Sequence, residues 1–150
     1  MAFTDDNGGF RFECDDAKMS INASTWATRL SQLARMKGAV SILTTQLPDP
    51  DYVIGVLSKR AWDIKIVAHV DAREGAERIK QVLPSVRIAL HSDIGAKAIL
   101  IAPDTVWILS GDFGKKHKLD TGVGFHSAMV YQKTHQQLFE RAWREARELP

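Results

Sequence analysis

Cysteine is almost missing from this chain. Cys14 stands alone, so no intrachain disulfide framework and no cysteine-rich metal site can be built. A reducing compartment is compatible with that usage. Long hydrophobic runs are missing too: no stretch approaches the roughly 18 apolar residues a membrane-spanning helix needs. Charge of one sign is not in excess. Twenty Lys and Arg against 18 Asp and Glu leave a net charge of +2, which permits a phosphate-bearing partner without arguing for one. The start, Met1-Ala2-Phe3-Thr4-Asp5-Asp6, has no basic stretch followed by an apolar one, so it does not read as a secretory signal. The expectation is a cytoplasmic protein. There is no Walker A loop, no GxSxG elbow, no dinucleotide-binding glycine fingerprint and no HExxH. No cofactor and no metal are expected.

The residues present suit one folded domain. Apolar residues make up 45% of the 150 positions and charged ones 25%, enough for a sizeable core. Residues 1–22 read as a partly flexible N-terminal extension, with Gly9–Cys14 a weakly alternating strand and 15–22 a connection. From residue 23 to 150 strands and helices alternate. Ser24 starts a helix whose inner face carries Trp26, Leu30, Leu33, Ala34 and Met36, and Gly38 ends it. A β-branched strand follows at 39–45. Pro48-Asp49-Pro50-Asp51 turns into a helix reaching about Arg60. Asp63–Val70 is a buried strand, with Asp71 as cap of a helix at 72–83, which Pro84 stops. Val86–Leu90 is a strand. Residues 96–113 then form an apolar strand, a tight turn at Pro103-Asp104 and a second apolar strand. Thr121–Val130 reads as a strand, its Gly122 and Gly124 marking a kink or close packing. A last amphipathic helix is expected from about Thr134 to Glu148, with Leu138, Phe139, Ala142, Trp143 and Ala146 inside. This order predicts an α/β fold, a mixed, mostly parallel sheet flanked by helices.

Chemistry concentrates around the hairpin. Lys97 lies between Ala96 and Ala98 at the mouth of an apolar strand, with room for a ligand and a point charge suited to phosphate. Its plainer reading is a lysine snorkelling at a strand end. Ser110-Gly111-Asp112 closes the neighbouring strand, where a hydroxyl and backbone N–H groups can hold phosphate oxygens or simply cap a turn. His69 ends a central strand, the place where α/β sheets bind ligands, and His91 precedes Ser92 and Asp93 in a loop. These two are the candidate acid–base histidines, and each is also readable as a hydrogen-bonded or solvated side chain. Lys115, Lys116, His117 and Lys118 form a short basic cluster able to touch a nucleic-acid backbone, or a solvated loop.

These residues, over roughly 23–148, resemble a single-repeat member of the phospholipase D-like superfamily, in particular its small nuclease-type branch. The family signature has a histidine two residues before a lysine, then a Gly-Ser-x-Asn element after the next strand. Lys97 and Ser110 match the lysine and serine. Gly95 stands at the histidine, Leu109 at the glycine and Asp112 at the asparagine. Asp104 lies two residues beyond the usual place of the motif aspartate, and Thr121 lies near a position often acidic. In the family two such histidines, from two repeats or two subunits, meet across a twofold axis. One attacks phosphorus and the other protonates the leaving group. Gly95 can do neither, and a homodimer would pair Gly95 with Gly95. The resemblance therefore implies a catalytically degenerate module. It would bind DNA, RNA or another phosphorylated ligand through Lys97, Ser110 and Asp112, as a homodimer or with another protein. The alternatives are a metal-independent phosphodiesterase that recruits His69 or His91, and a structural protein-interaction module.

Overall fold

A computed structural model describes residues 2–21, 35–114 and 119–150. The helix expected from Ser24 and the basic cluster Lys115–Lys118 fall wholly or largely outside these residues. One eight-stranded sheet organises the rest. Its strands are β1 (Ala17–Ile21), β2 (Val40–Leu43), β3 (Ile64–His69), β4 (Arg87–His91), β5 (Ala98–Ile101), β6 (Thr105–Leu109), β7 (Thr121–His126) and β8 (Arg147–Glu148), in the spatial order β1-β7-β6-β5-β2-β3-β4-β8.

The sheet is mixed but mostly antiparallel, which corrects the expectation of a mostly parallel one. Among the described residues only β2–β3 and β3–β4 are parallel; the other five neighbour pairs are antiparallel. The two parallel pairs come from the two crossover helices, α1 (Pro50–Leu57) and α2 (Arg73–Val82). After β4 the chain turns to hairpins. β5 inserts beside β2 in reverse, and β6 and β7 follow as a meander. Both edges come from segments with weak strand signals. β1 is half polar and lies at 17–21 rather than at 9–14. β8 is two residues long and is cut from the end of the expected last helix.

Strand alternation divides the core into two layers. Ile42, Ile66, Ile88 and Ile99 face one side with Val53 and Leu57 of α1 and Ala76 and Ile79 of α2. Leu43, Val67, Ala98, Leu100 and Val106 face the other, under the C-terminal helical segment. That segment starts earlier than its pattern suggests. It comprises α3 (Ala128–Thr134), a π turn (His135–Phe139) and α4 (Glu140–Glu145). Ser127 caps it by accepting the Val130 N–H, so β7 stops at His126.

Local chemistry explains most of the other boundaries. The Asp49 carboxylate accepts the Tyr52 N–H, and Pro50 occupies the first turn of α1. His69, not Asp71, caps the turn before α2: its Nδ1 accepts the Asp71 N–H at 3.0 Å. Gly38 acts by close approach, since a Cβ there would lie 1.8 Å from the Ala102 carbonyl oxygen. Gly124 lies beneath Trp107, whose ring would be 2.6 Å from an added Cβ. Among the described residues no helix is long and apolar enough to cross a membrane.

Candidate functional site

The site sits where β2 ends, β5 begins and β6 ends. The antiparallel pairing Leu43↔Ala98 and Ala98↔Ile108 brings Thr44, Lys97 and Ser110 to one sheet end. Lys97 alternates with Ile99, so it projects toward the α1–α2 side. Its Nζ lies 3.4 Å from the Ser110 carbonyl oxygen and 3.7 Å from Asp112 Oδ2. The side chain of Lys97 is 27% exposed and that of Asp112 8%. The three residues named for phosphate binding are thus brought together.

Asp112 is the most heavily bonded of them. Its Oδ1 accepts the Thr45 N–H at 2.7 Å, the Thr45 hydroxyl at 2.6 Å and the Gln46 N–H at 3.0 Å. The Thr44 hydroxyl lies 3.0 Å from the same oxygen and accepts the Phe113 N–H. Burial pushes the Asp112 carboxyl up, but the bonds from Thr45, Gln46 and Thr44 outweigh it and hold the acid below its ordinary range. Asp112 is therefore an anion at neutral pH, and it lies against the one lysine of the site.

Ser110 is engaged on its hydroxyl. That oxygen accepts the Thr121 N–H at 3.0 Å and lies 3.4 Å from Asp120 Oδ1. Asp120 is 7% exposed, which makes a second buried carboxyl at the site. Sequence reasoning missed Asp120, Thr44 and Thr45. The Thr44–Asp112 and Thr45–Asp112 contacts span 68 and 67 residues, and no local pattern announces them. The paired threonines ending a buried strand were the one signal on offer.

Position 95 is open. A Cβ built on Gly95, two residues before Lys97, meets nothing within 4 Å. His69 and His91 are register partners at the ends of β3 and β4. They alternate with Val67 and Ala89, so they project toward the C-terminal helix, the face opposite Lys97. Each Nδ1 accepts the N–H two residues on, from Asp71 at 3.0 Å and Asp93 at 2.9 Å. His91 Nε2 also lies 3.1 Å from Glu145. Asp104 lies at the far end of the hairpin. There it meets His126 Nε2 at 2.8 Å, while His126 Nδ1 meets Asp16 at 3.0 Å.

No protein-family model matches this chain, and no curated protein matches it. Solved structures do. The phospholipase D family member Nuc from Salmonella typhimurium aligns with a TM-score of 0.63 at 15% identity, over 89% of this chain and 99% of its own. NucT from Helicobacter pylori aligns at 0.66 and 11% identity, over 89% and 100%. TrmBL2, an archaeal chromatin protein with a novel mode of DNA binding, aligns at 0.64 and 9% identity, over 90% of this chain and 55% of its own. The chain therefore shares the fold of these structures, at 9–15% sequence identity.

Proposed function

We propose that this chain is a phospholipase D-fold domain without hydrolytic activity that binds nucleic acid or another phosphorylated ligand, as a homodimer or with another protein. The observation that carries the reading is position 95. Hydrolysis through a phosphohistidine needs an imidazole that is nucleophile and proton carrier in turn. The place two residues before Lys97 is instead open space beside Gly95. His69 and His91 are turned to the other face and hold backbone N–H groups, which disfavours an atypical histidine. The binding half rests on Lys97, a partly exposed cation at a strand end. The fold shared with a DNA-binding chromatin protein adds an analogy at the level of fold only.

The test is direct. Purified protein is assayed on DNA, RNA and bis-p-nitrophenyl phosphate, and its binding to DNA and RNA is measured across a salt series. No turnover is expected, together with binding that weakens as salt rises, because counterions are released. Turnover abolished by Lys97→Ala would overturn the silent reading. Binding that ignores salt, or no binding at all, would leave the protein-interaction module instead.

A further inference from the structure

The connection from α1 to β3, residues 58–63, carries a buried guanidinium with no hydrogen-bond acceptor among the described residues. Arg60 is 1% exposed, the largest fully buried side chain among the described residues. Its Nε, Nη1 and Nη2 have no hydrogen-bond acceptor among the described residues. A guanidinium presents five N–H donors in a rigid fork. Leaving all of them dry and unpaired is among the costliest arrangements a fold can hold.

The surroundings do not supply the missing partner. The guanidinium lies 5.4 Å from the centre of the Trp62 ring, which steadies the charge but accepts no N–H. The backbone around it is fixed. Arg60 N–H donates to Leu57 O, Ser85 Oγ donates to Ala61 O, and Val40 N–H donates to Asp63 O. Asp63 completes the turn at φ +59°, a region that favours glycine. Trp62 is 61% exposed. A pinned, strained turn thus holds an unsatisfied guanidinium under a large aromatic ring that is open to water. Unsatisfied buried groups and backbone strain gather where a ligand binds.

We propose that Arg60 and Trp62 form a second phosphate site. The guanidinium fork takes a nucleotide phosphate as the Trp62 side chain yields, and the exposed indole takes the base. The choice of a nucleotide over a bare anion rests on the nucleic-acid reading above and on the exposed ring, since bases stack on aromatic side chains whatever their sequence. The site is independent of Lys97. It lies at the opposite end of β3, about 20 Å away for a six-residue strand.

Melting temperature is followed with inorganic phosphate and with a short oligothymidylate, for the wild type and for Arg60→Met, Arg60→Lys, Trp62→Ala and Lys97→Ala. Phosphate is expected to raise the melting temperature of wild type and of Lys97→Ala, and to raise that of Arg60→Met less than wild type, by the share that Lys97 contributes. Without ligand, Arg60→Met should melt no lower than wild type, because it removes an unpaired buried charge. Arg60→Lys should respond to phosphate less than wild type, having lost the fork. The oligonucleotide should add a further shift that Trp62→Ala loses. Phosphate moving Arg60→Met as far as wild type, or not moving wild type, overturns the site. A response lost in Lys97→Ala and kept in Arg60→Met overturns it while sparing the Lys97 reading. An oligonucleotide shift unchanged in Trp62→Ala overturns the base contact.

Discussion

Asp112 decides how the candidate site behaves, because it puts a fixed anion 3.7 Å from the ammonium that would bind phosphate. Asp112→Asn keeps a carbonyl oxygen for the Thr45 and Gln46 N–H groups and removes the charge facing Lys97. Phosphate affinity at Lys97 is expected to rise several-fold, read by titration calorimetry, and Lys97→Ala in the same background should cancel the gain. Stability should fall by about 1.5–3 kcal/mol, the range for a hydrogen bond to a charged group. The pH dependence has a definite sign. The folded carboxyl is more acidic than the unfolded one, so its stabilisation is complete above the unfolded value of about 3.9 and is lost as pH falls through the lower folded value. The stability gap between wild type and Asp112→Asn should therefore be flat from neutral pH to about pH 5 and close in stronger acid. Lys97 and Ser110 were legible at this scale from their place at strand ends. The partners of Asp112 were not, since they lie more than sixty residues away.

Among the elements, β1 depends most on a single side chain. It is an edge strand paired only with β7, and His126 joins the residue before it, Asp16, to Asp104 in the hairpin turn. The hydrogen bond that His126 Nδ1 donates to Asp16 is the largest cause, and the Asp104 charge the next, of an imidazole pKa held above its ordinary value. A raised histidine stabilises fully below its unfolded value of about 6.5, and the contribution fades as pH rises through the folded value. Hydrogen exchange in Ala17–Ile21 should accelerate as pH rises above the unfolded value of about 6.5 and through the higher folded one, after correction for the intrinsic rate. His126→Gln should flatten that response. A pH-independent protection of β1 in the wild type would refute the coupling. The sequence pattern placed the hairpin, the crossover helices and the four buried strands β2 to β5 well, because their apolar runs and turn residues are strong local signals. It missed β1 and β8, whose few polar residues become strands only because a neighbour offers a free edge.

In the whole molecule, stability should be graded across the sheet. β2 and β3 sit among buried isoleucines with helices on both faces, while β1 and β8 close the two edges. Native-state exchange should be slowest in β2 and β3 and fastest in β1 and β8. Equal protection across the sheet would mean that the edges unfold only with the core. The balance of parallel and antiparallel pairs belongs to this scale too. Alternating strands and helices read as a parallel sheet, yet five of the seven neighbour pairs run antiparallel.

By itself, the sequence determined an α/β domain with crossover helices, and a lysine and a serine meeting at a hairpin. Those follow from periodicity, turn chemistry and residue type, all local properties. Only the tertiary structure decided the rest. It set strand order and direction, which depend on which edge is free when the chain returns. It put His69 and His91 on the face away from Lys97 and Asp112 against it. It left Arg60 buried without a hydrogen-bond acceptor among the described residues, because burial and pairing are settled by what the rest of the chain brings near, or does not.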